Sequence, residues 1–77
     1  MSDIKNLLEY ILKGIIKESD DVLVEERIEN NITLLEISAP SEKIGQVIGK
    51  EGKIIKAIRT LIGISFPQSH FNIVIKE

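Results

Sequence analysis

Apolar residues recur along the first part of the chain in helical step. Ile4, Leu7, Leu8, Ile11, Leu12, Ile15 and Ile16 fall at i, i+3, i+4 and i+7, one face of an amphipathic helix. Ser2 and Asp3 precede the stripe and suit the cap and the first turn. Gly14 weakens the pattern without breaking it. Ser19-Asp20-Asp21 is expected to end the helix and turn the chain. The period then changes. Val22 to Glu29 is β-branched and roughly alternating, as in a strand with one wet face, and Ile32 to Ser38 reads as its return. Between them Asn30-Asn31 suits a tight hairpin, because Asn tolerates the left-handed conformation such turns need. Leu35, Ile37 and Ala39 form the expected inward set.

After Pro40, Ser41 reads as the N-cap of a short helix from Glu42 to Ile48, with Ile44, Val47 and Ile48 on its apolar face. A second helix follows Gly49-Lys50-Glu51-Gly52 and carries Ile54, Ile55, Ala57, Ile58, Leu61 and Ile62. Gly63 is its expected stop. Phe66 to Ser69 reads as loop, and His70 to Lys76 alternates as a last strand. The predicted order is α-β-β-α-α-β, an α+β domain with a three-stranded sheet and helices on one face, spanning 1–77 as a single unit. No repeat or low-complexity tract interrupts it.

Composition narrows the function classes. A chain of 77 residues has a small core, and many chains of this size add a disulfide, a metal or a partner subunit. With no cysteine and one histidine, a disulfide framework and the common zinc sites are excluded. No cofactor is implied. No apolar run approaches the roughly 18 residues of a membrane span. The opening Met-Ser-Asp-Ile-Lys lacks the basic and apolar regions of a signal peptide, so a cytoplasmic protein is expected. His70 lies in a strand pattern with no Ser/His/Asp constellation to join, and the carboxylates of residues 18–29 lack the spacing of a calcium loop. Nothing points to an enzyme.

The net charge of −2 conceals an asymmetry. Residues 1–42 hold four Lys/Arg against ten Asp/Glu, a balance of −6. Residues 43–77 hold six against two, a balance of +4. Such a division bears on partner choice more than the total does. The basic half contains the glycine turn, and the acidic first strand should confine any nucleic acid to the other side of the molecule.

Two phosphate motifs fail at that turn. A P-loop needs glycine where Ile44 stands and Ser or Thr where Glu51 stands, and the dinucleotide fingerprint needs glycine at Val47. The stretch Val47-Ile48-Gly49-Lys50-Glu51-Gly52-Lys53-Ile54-Ile55 instead resembles the KH domain, whose Gly-x-x-Gly loop joins two short helices and clamps four nucleotides of backbone. The helix and strand placed before the β-α-α-β core resemble the type II arrangement. At this length the chain is similar to the small bacterial single-KH proteins of the KhpA family. The resemblance implies a cytoplasmic RNA-binding protein, an RNA chaperone or post-transcriptional regulator. It also implies homodimers, or pairing with a larger KH-containing partner of the KhpB type.

The residues support that reading in physical terms. Gly49 and Gly52 remove the Cβ atoms that would keep a sugar-phosphate chain away, and the start of the following helix favours anions. Lys50 and Lys53 add charge, and Lys56 and Arg59 continue a basic stripe. Glu51 opposes phosphate. Ile44, Ile48 and Ile55 are each either an aliphatic floor for unstacked bases or core. No aromatic lies near the turn in sequence, so backbone-led binding of single-stranded RNA with little base preference is expected. The helix after the turn has an apolar arc of about 160° at 100° per residue, wider than one small sheet requires. Leu61, near its edge, is either buried or a dimer contact. A protein-interaction module with secondary RNA binding is the competing reading.

Overall fold

A computed structural model describes residues 2–76. Helix α1 (Asp3–Ile15) starts where Ser2 caps it, with the Ser2 hydroxyl accepting from the Lys5 N–H at 3.1 Å. The same hydroxyl donates to Glu26 Oε2 at 2.8 Å, which ties the start of the helix to the first strand. The helix stops at Ile15, short of Ser19-Asp20-Asp21. Those three residues form a separate short 3-10 turn entered through Glu18 in the left-handed region. Gly14 followed by two β-branched residues is a weak helical ending, and Ile16 continues in extended conformation while remaining buried.

Strands β1 (Leu23–Glu29) and β2 (Ile32–Ser38) form the antiparallel hairpin. Asn30 and Asn31 both have positive φ, 52° and 66°, as a two-residue type I′ turn requires. After β2 come α2 (Ser41–Ile48), α3 (Lys53–Ser65) and β3 (Phe71–Lys76). Strand β3 pairs parallel to β2, from Thr33 opposite Phe71 to Ser38 opposite Lys76, which gives the sheet order β1-β2-β3. The expected α-β-β-α-α-β order and α+β class therefore hold, as does the type II arrangement.

Two helix ends depart from expectation. Pro40 occupies the cap position of α2 and Ser41 is the first helical residue; the fixed φ of proline suits a helix entrance. Gly63 does not stop α3, which continues to Ser65. Leu61, Ile62 and Ile64 around it favour helix, and its amide lies inside the hydrogen-bonded run rather than beyond it.

One apolar layer joins these elements. Leu8, Leu12 and Ile16 from the first helix and its end meet Val47 of α2 and Ile55, Ile58 and Ile62 of α3. They cover Val24, Leu35, Ile37 and Ile73, which lie on one face of the sheet. The expected inward set Leu35, Ile37 and Ala39 is buried. Among the described residues no buried polar side-chain atom lacks a partner.

A polar clamp closes the turn between α1 and β1 onto α2. The Lys43 ammonium donates to the Glu18 carbonyl and to Asp21 Oδ1, the latter at 2.7 Å. The hydrogen bond from Lys43 holds the Asp21 carboxyl below its usual range, and Asp21 in turn raises Lys43. A carboxylate whose pKa is lowered by folding stabilises the fold above its unfolded value and loses that contribution as pH falls through the lowered one. In an NMR pH titration Asp21 should therefore titrate below an ordinary aspartate. Lys43→Met should return its midpoint to the usual range; an unmoved Asp21 would show that the clamp is not formed in solution.

Candidate nucleic-acid interface

Helix α2 ends on Gly49, whose φ of 76° and ψ of 173° are accessible essentially to glycine alone. Its N–H still reaches back to the Gly45 carbonyl at 2.9 Å. The chain then makes a single 3-10 turn, Lys50–Gly52, in which Glu51 (φ 58°) and Gly52 (φ 73°) are both left-handed. Two backbone bonds close the turn. The Gly52 N–H donates to the Gly49 carbonyl at 3.1 Å, and the Lys53 N–H to the Lys50 carbonyl. A left-handed conformation costs a non-glycine residue roughly 1–2 kcal/mol, so Glu51 is held there by the turn around it.

The two glycines are needed for different reasons. A Cβ on Gly49 would fall 2.6 Å from Ile54 Cγ1 and 2.8 Å from Ile54 Cβ, so both its dihedrals and its surroundings demand glycine. At Gly52 a Cβ would make only ordinary contacts, at 3.9 Å or more, and the requirement there is the left-handed φ. The loop thus packs Gly49 under the Ile54 side chain and leaves room around Gly52. No side chain caps the start of α3, so the positive end of the helix faces the same place.

Positive charge gathers around it. Lys50, Lys53, Lys56 and Arg59 are all exposed, and the last three follow one another at i+3 and i+6 along α3. Glu51 Oε1 lies 3.8 Å from Lys53 Nζ, with both side chains largely in solvent. Such a pair is weak, so Glu51 lowers the local charge without removing it. Lys50, Lys56 and Arg59 have no ion-pair partner among the described residues. Lys43, counted with the basic half, is instead committed to the clamp on Asp21. On the acidic side, Glu25 and Glu29 project from β1, the strand at the opposite edge of the sheet from β3.

The aliphatic floor differs from expectation. Ile44 and Ile55 are 4% and 6% exposed. They hold the two helices to the core and offer no floor to bases. Ile48 is half-buried against that core. The exposed isoleucine at the loop is Ile54, at 38%. Sequence reasoning passed over it because it falls within the apolar arc of α3. Its position one step out of phase with Ile55, Ile58 and Ile62 was the available signal. Leu61 resolves the other way from simple burial: it is 51% exposed, on the same side of α3 as Ile54 and Ile64.

Nothing around the loop suggests a reacting centre. His70 is exposed, and its carbonyl accepts from the Thr33 N–H at 2.8 Å. The described residues contain no group of three or more His, Cys, Asp and Glu that could hold a metal. A partly open pocket of about 40 Å³, lined by Leu12, Ser19, Val22 and Val24 among others, lies between α1 and β1 and is far too small for a nucleotide. No helix among the described residues is long and apolar enough to cross a membrane.

Comparison with known proteins points to a KH domain. A family model for the KhpA/KhpB KH domain matches residues 5–76. The RNA-binding protein KhpA of Thermotoga maritima is 45% identical over 58 residues, 75% of this chain and 77% of that one. Those of Clostridium perfringens and Clostridium acetobutylicum are 35% and 38% identical over 72 residues, 94% of this chain and 96% of each relative.

The glycines can be tested separately. Gly52→Ala should cost about 1–2 kcal/mol, the usual penalty of a left-handed alanine, measured by chemical denaturation. Gly49→Ala should cost more, because Ile54 must move as well. Equal costs would mean that Ile54 does not crowd Gly49 in solution.

Proposed function

This chain belongs to the KhpA/KhpB KH-domain family, and from that premise we propose that it binds single-stranded RNA through Gly49-Lys50-Glu51-Gly52. The observation that carries the reading is the loop itself. Gly49, Glu51 and Gly52, all at positive φ, shape a tight turn at an uncapped helix start, beside Lys50, Lys56 and Arg59, which have no ion-pair partner among the described residues. Gly52, without a Cβ and with only ordinary contacts around it, lets the sugar-phosphate chain approach, and the helix end and Lys50, Lys53, Lys56 and Arg59 attract its charge. Each contact is to phosphate, which positions a strand and carries no sequence information directly.

Base selectivity is low on this reading. Phe66 and Phe71 pack against the core and Tyr10 stands on α1, so the loop has no aromatic platform, the source of about 1–3 kcal/mol per base in stacking proteins. Ile48, half-buried beside the loop, is the aliphatic side chain left to meet an unstacked base. A weak, backbone-led grip suits an RNA chaperone or a post-transcriptional regulator acting in the cytoplasm, and no catalytic step is assigned.

A grip of this kind gains from being doubled, since linked sites raise avidity with no new contact. The exposed edge of α3, with Leu61 at its centre, is the surface we assign to a second KH domain, either another copy of this chain or a larger relative of the KhpB type. That apolar edge is also the observation favouring the second reading, in which association is the main role and RNA binding follows from it.

Replacing Lys50 and Glu51 together by Asp tests the loop. Aspartate tolerates the left-handed conformation, so the turn survives while its charge is reversed. RNA binding should be lost, and affinity equal to the parent would reject the reading. For the parent, two or three phosphate contacts give a log–log salt slope of about −1.4 to −2.1 on a single strand. Leu61→Asp addresses the second surface. The folded variant should sediment as a monomer, and an unchanged dimer mass would exclude Leu61 from the contact.

A further inference from the structure

Ile54 does little for the core. It stands one residue inside α3, out of phase with the buried stripe, and more than a third of its surface meets solvent. Its side chain nevertheless lies directly over Gly49. Cγ1, Cβ and Cδ1 would stand 2.6, 2.8 and 2.9 Å from a Cβ built on that glycine. Those carbons occupy the space above the Gly49 α-carbon and are in van der Waals contact with the turn. They reach it from a residue anchored in a regular helix. A β-branched side chain in a helix has one strongly preferred χ1 rotamer, so the contact comes from a stiff group and not from a mobile chain end.

The turn needs such a support. Its shape depends on a non-glycine residue, Glu51, held in the left-handed region, and on two backbone bonds, Gly52 to Gly49 and Lys53 to Lys50. A loop closed so lightly, exposed on its outer side, would otherwise sample other shapes. We infer that Ile54 is the positioning residue of the loop: it seats its branched side chain against Gly49 and keeps residues 49–52 in the conformation that receives phosphate. The inference rests on the reading of the loop as the RNA-binding element. Its consequence is that RNA meets a loop already ordered, so that binding does not bear the entropy of ordering it. The role is distinct from that of Ile55, the next residue, which serves the core.

The test compares Ile54→Ala, which removes the branch, with Ile54→Val, which keeps both γ carbons. Affinity for a short unstructured single-stranded RNA is measured by fluorescence anisotropy. Amide hydrogen exchange is followed at Gly52 and Lys53 in the free proteins. Ile54→Ala should bind about tenfold more weakly, the equivalent of ordering roughly one backbone residue on binding. Its Gly52 and Lys53 amides should exchange faster while those of Leu35 and Ile37 in the sheet are unchanged. Ile54→Val should match the parent in both readouts. Unchanged affinity in Ile54→Ala overturns the inference. Weaker binding with unchanged exchange also overturns it, because Ile54 would then be a direct RNA contact or act through association along α3. If the Lys50/Glu51 double aspartate variant also binds RNA like the parent, the RNA-binding reading of the loop has failed, separately from the role of Ile54.

Discussion

A three-stranded sheet with one wet face is held in place by whatever covers the other face. Here the cover is a single layer of Ile, Leu and Val from three helices, with no disulfide to share the load. Each buried aliphatic side chain contributes about 1.5–3 kcal/mol relative to exposure, and the layer has no buried polar group to satisfy. That economy leaves little margin in so small a fold. It also explains where the functional features can lie. The loop, the basic stripe and the exposed edge of α3 all sit outside the layer. Ile44, Ile55 and Val47, their immediate neighbours in sequence, are committed to the protein interior.

Much of this architecture was legible from periodicity because its determinants are local. The Asn30-Asn31 turn requires two left-handed residues and uses a type that tolerates them. Alternation assigned Leu35, Ile37 and Ala39 to the inner face correctly. The errors came from tertiary context. Gly63 resembles a helix stop, yet α3 runs through it because its neighbours continue the helix and pack. Ser41 resembles a cap, but the proline before it already fixes the entrance. Lys43 counts toward the positive balance of residues 43–77, and only the fold brings Asp21 and the Glu18 carbonyl to it from more than twenty residues away. The isoleucines near the turn could be listed from sequence, whereas sorting Ile44 and Ile55 from Ile54 needed the helix phases relative to the sheet.

The charge division is likewise built into the topology. Strand β1 carries the glutamates at one edge of the sheet, and the helix that carries Lys53, Lys56 and Arg59 leads into the strand at the other edge. Separation of this kind lets an acidic protein present a cationic surface, because at physiological salt exposed charges beyond about 8 Å are largely screened. Net charge is therefore a poor guide to what this molecule can attract.

The parallel pairing of β2 with β3 has a consequence for how the chain assembles. The hairpin joins strands adjacent in sequence, but β3 must travel back alongside β2 after the whole stretch from Ala39 to His70. Closing a long flexible segment is slow and entropically unfavourable. Two helices folded against each other at Gly49–Gly52 replace a flexible segment with a compact crossover that carries the chain from the Ser38 end of β2 back to its Thr33 end, where β3 begins. The glycine turn thus serves the folding route as well as the finished surface. Its sharp reversal of direction brings the last strand back alongside β2, on the edge away from β1.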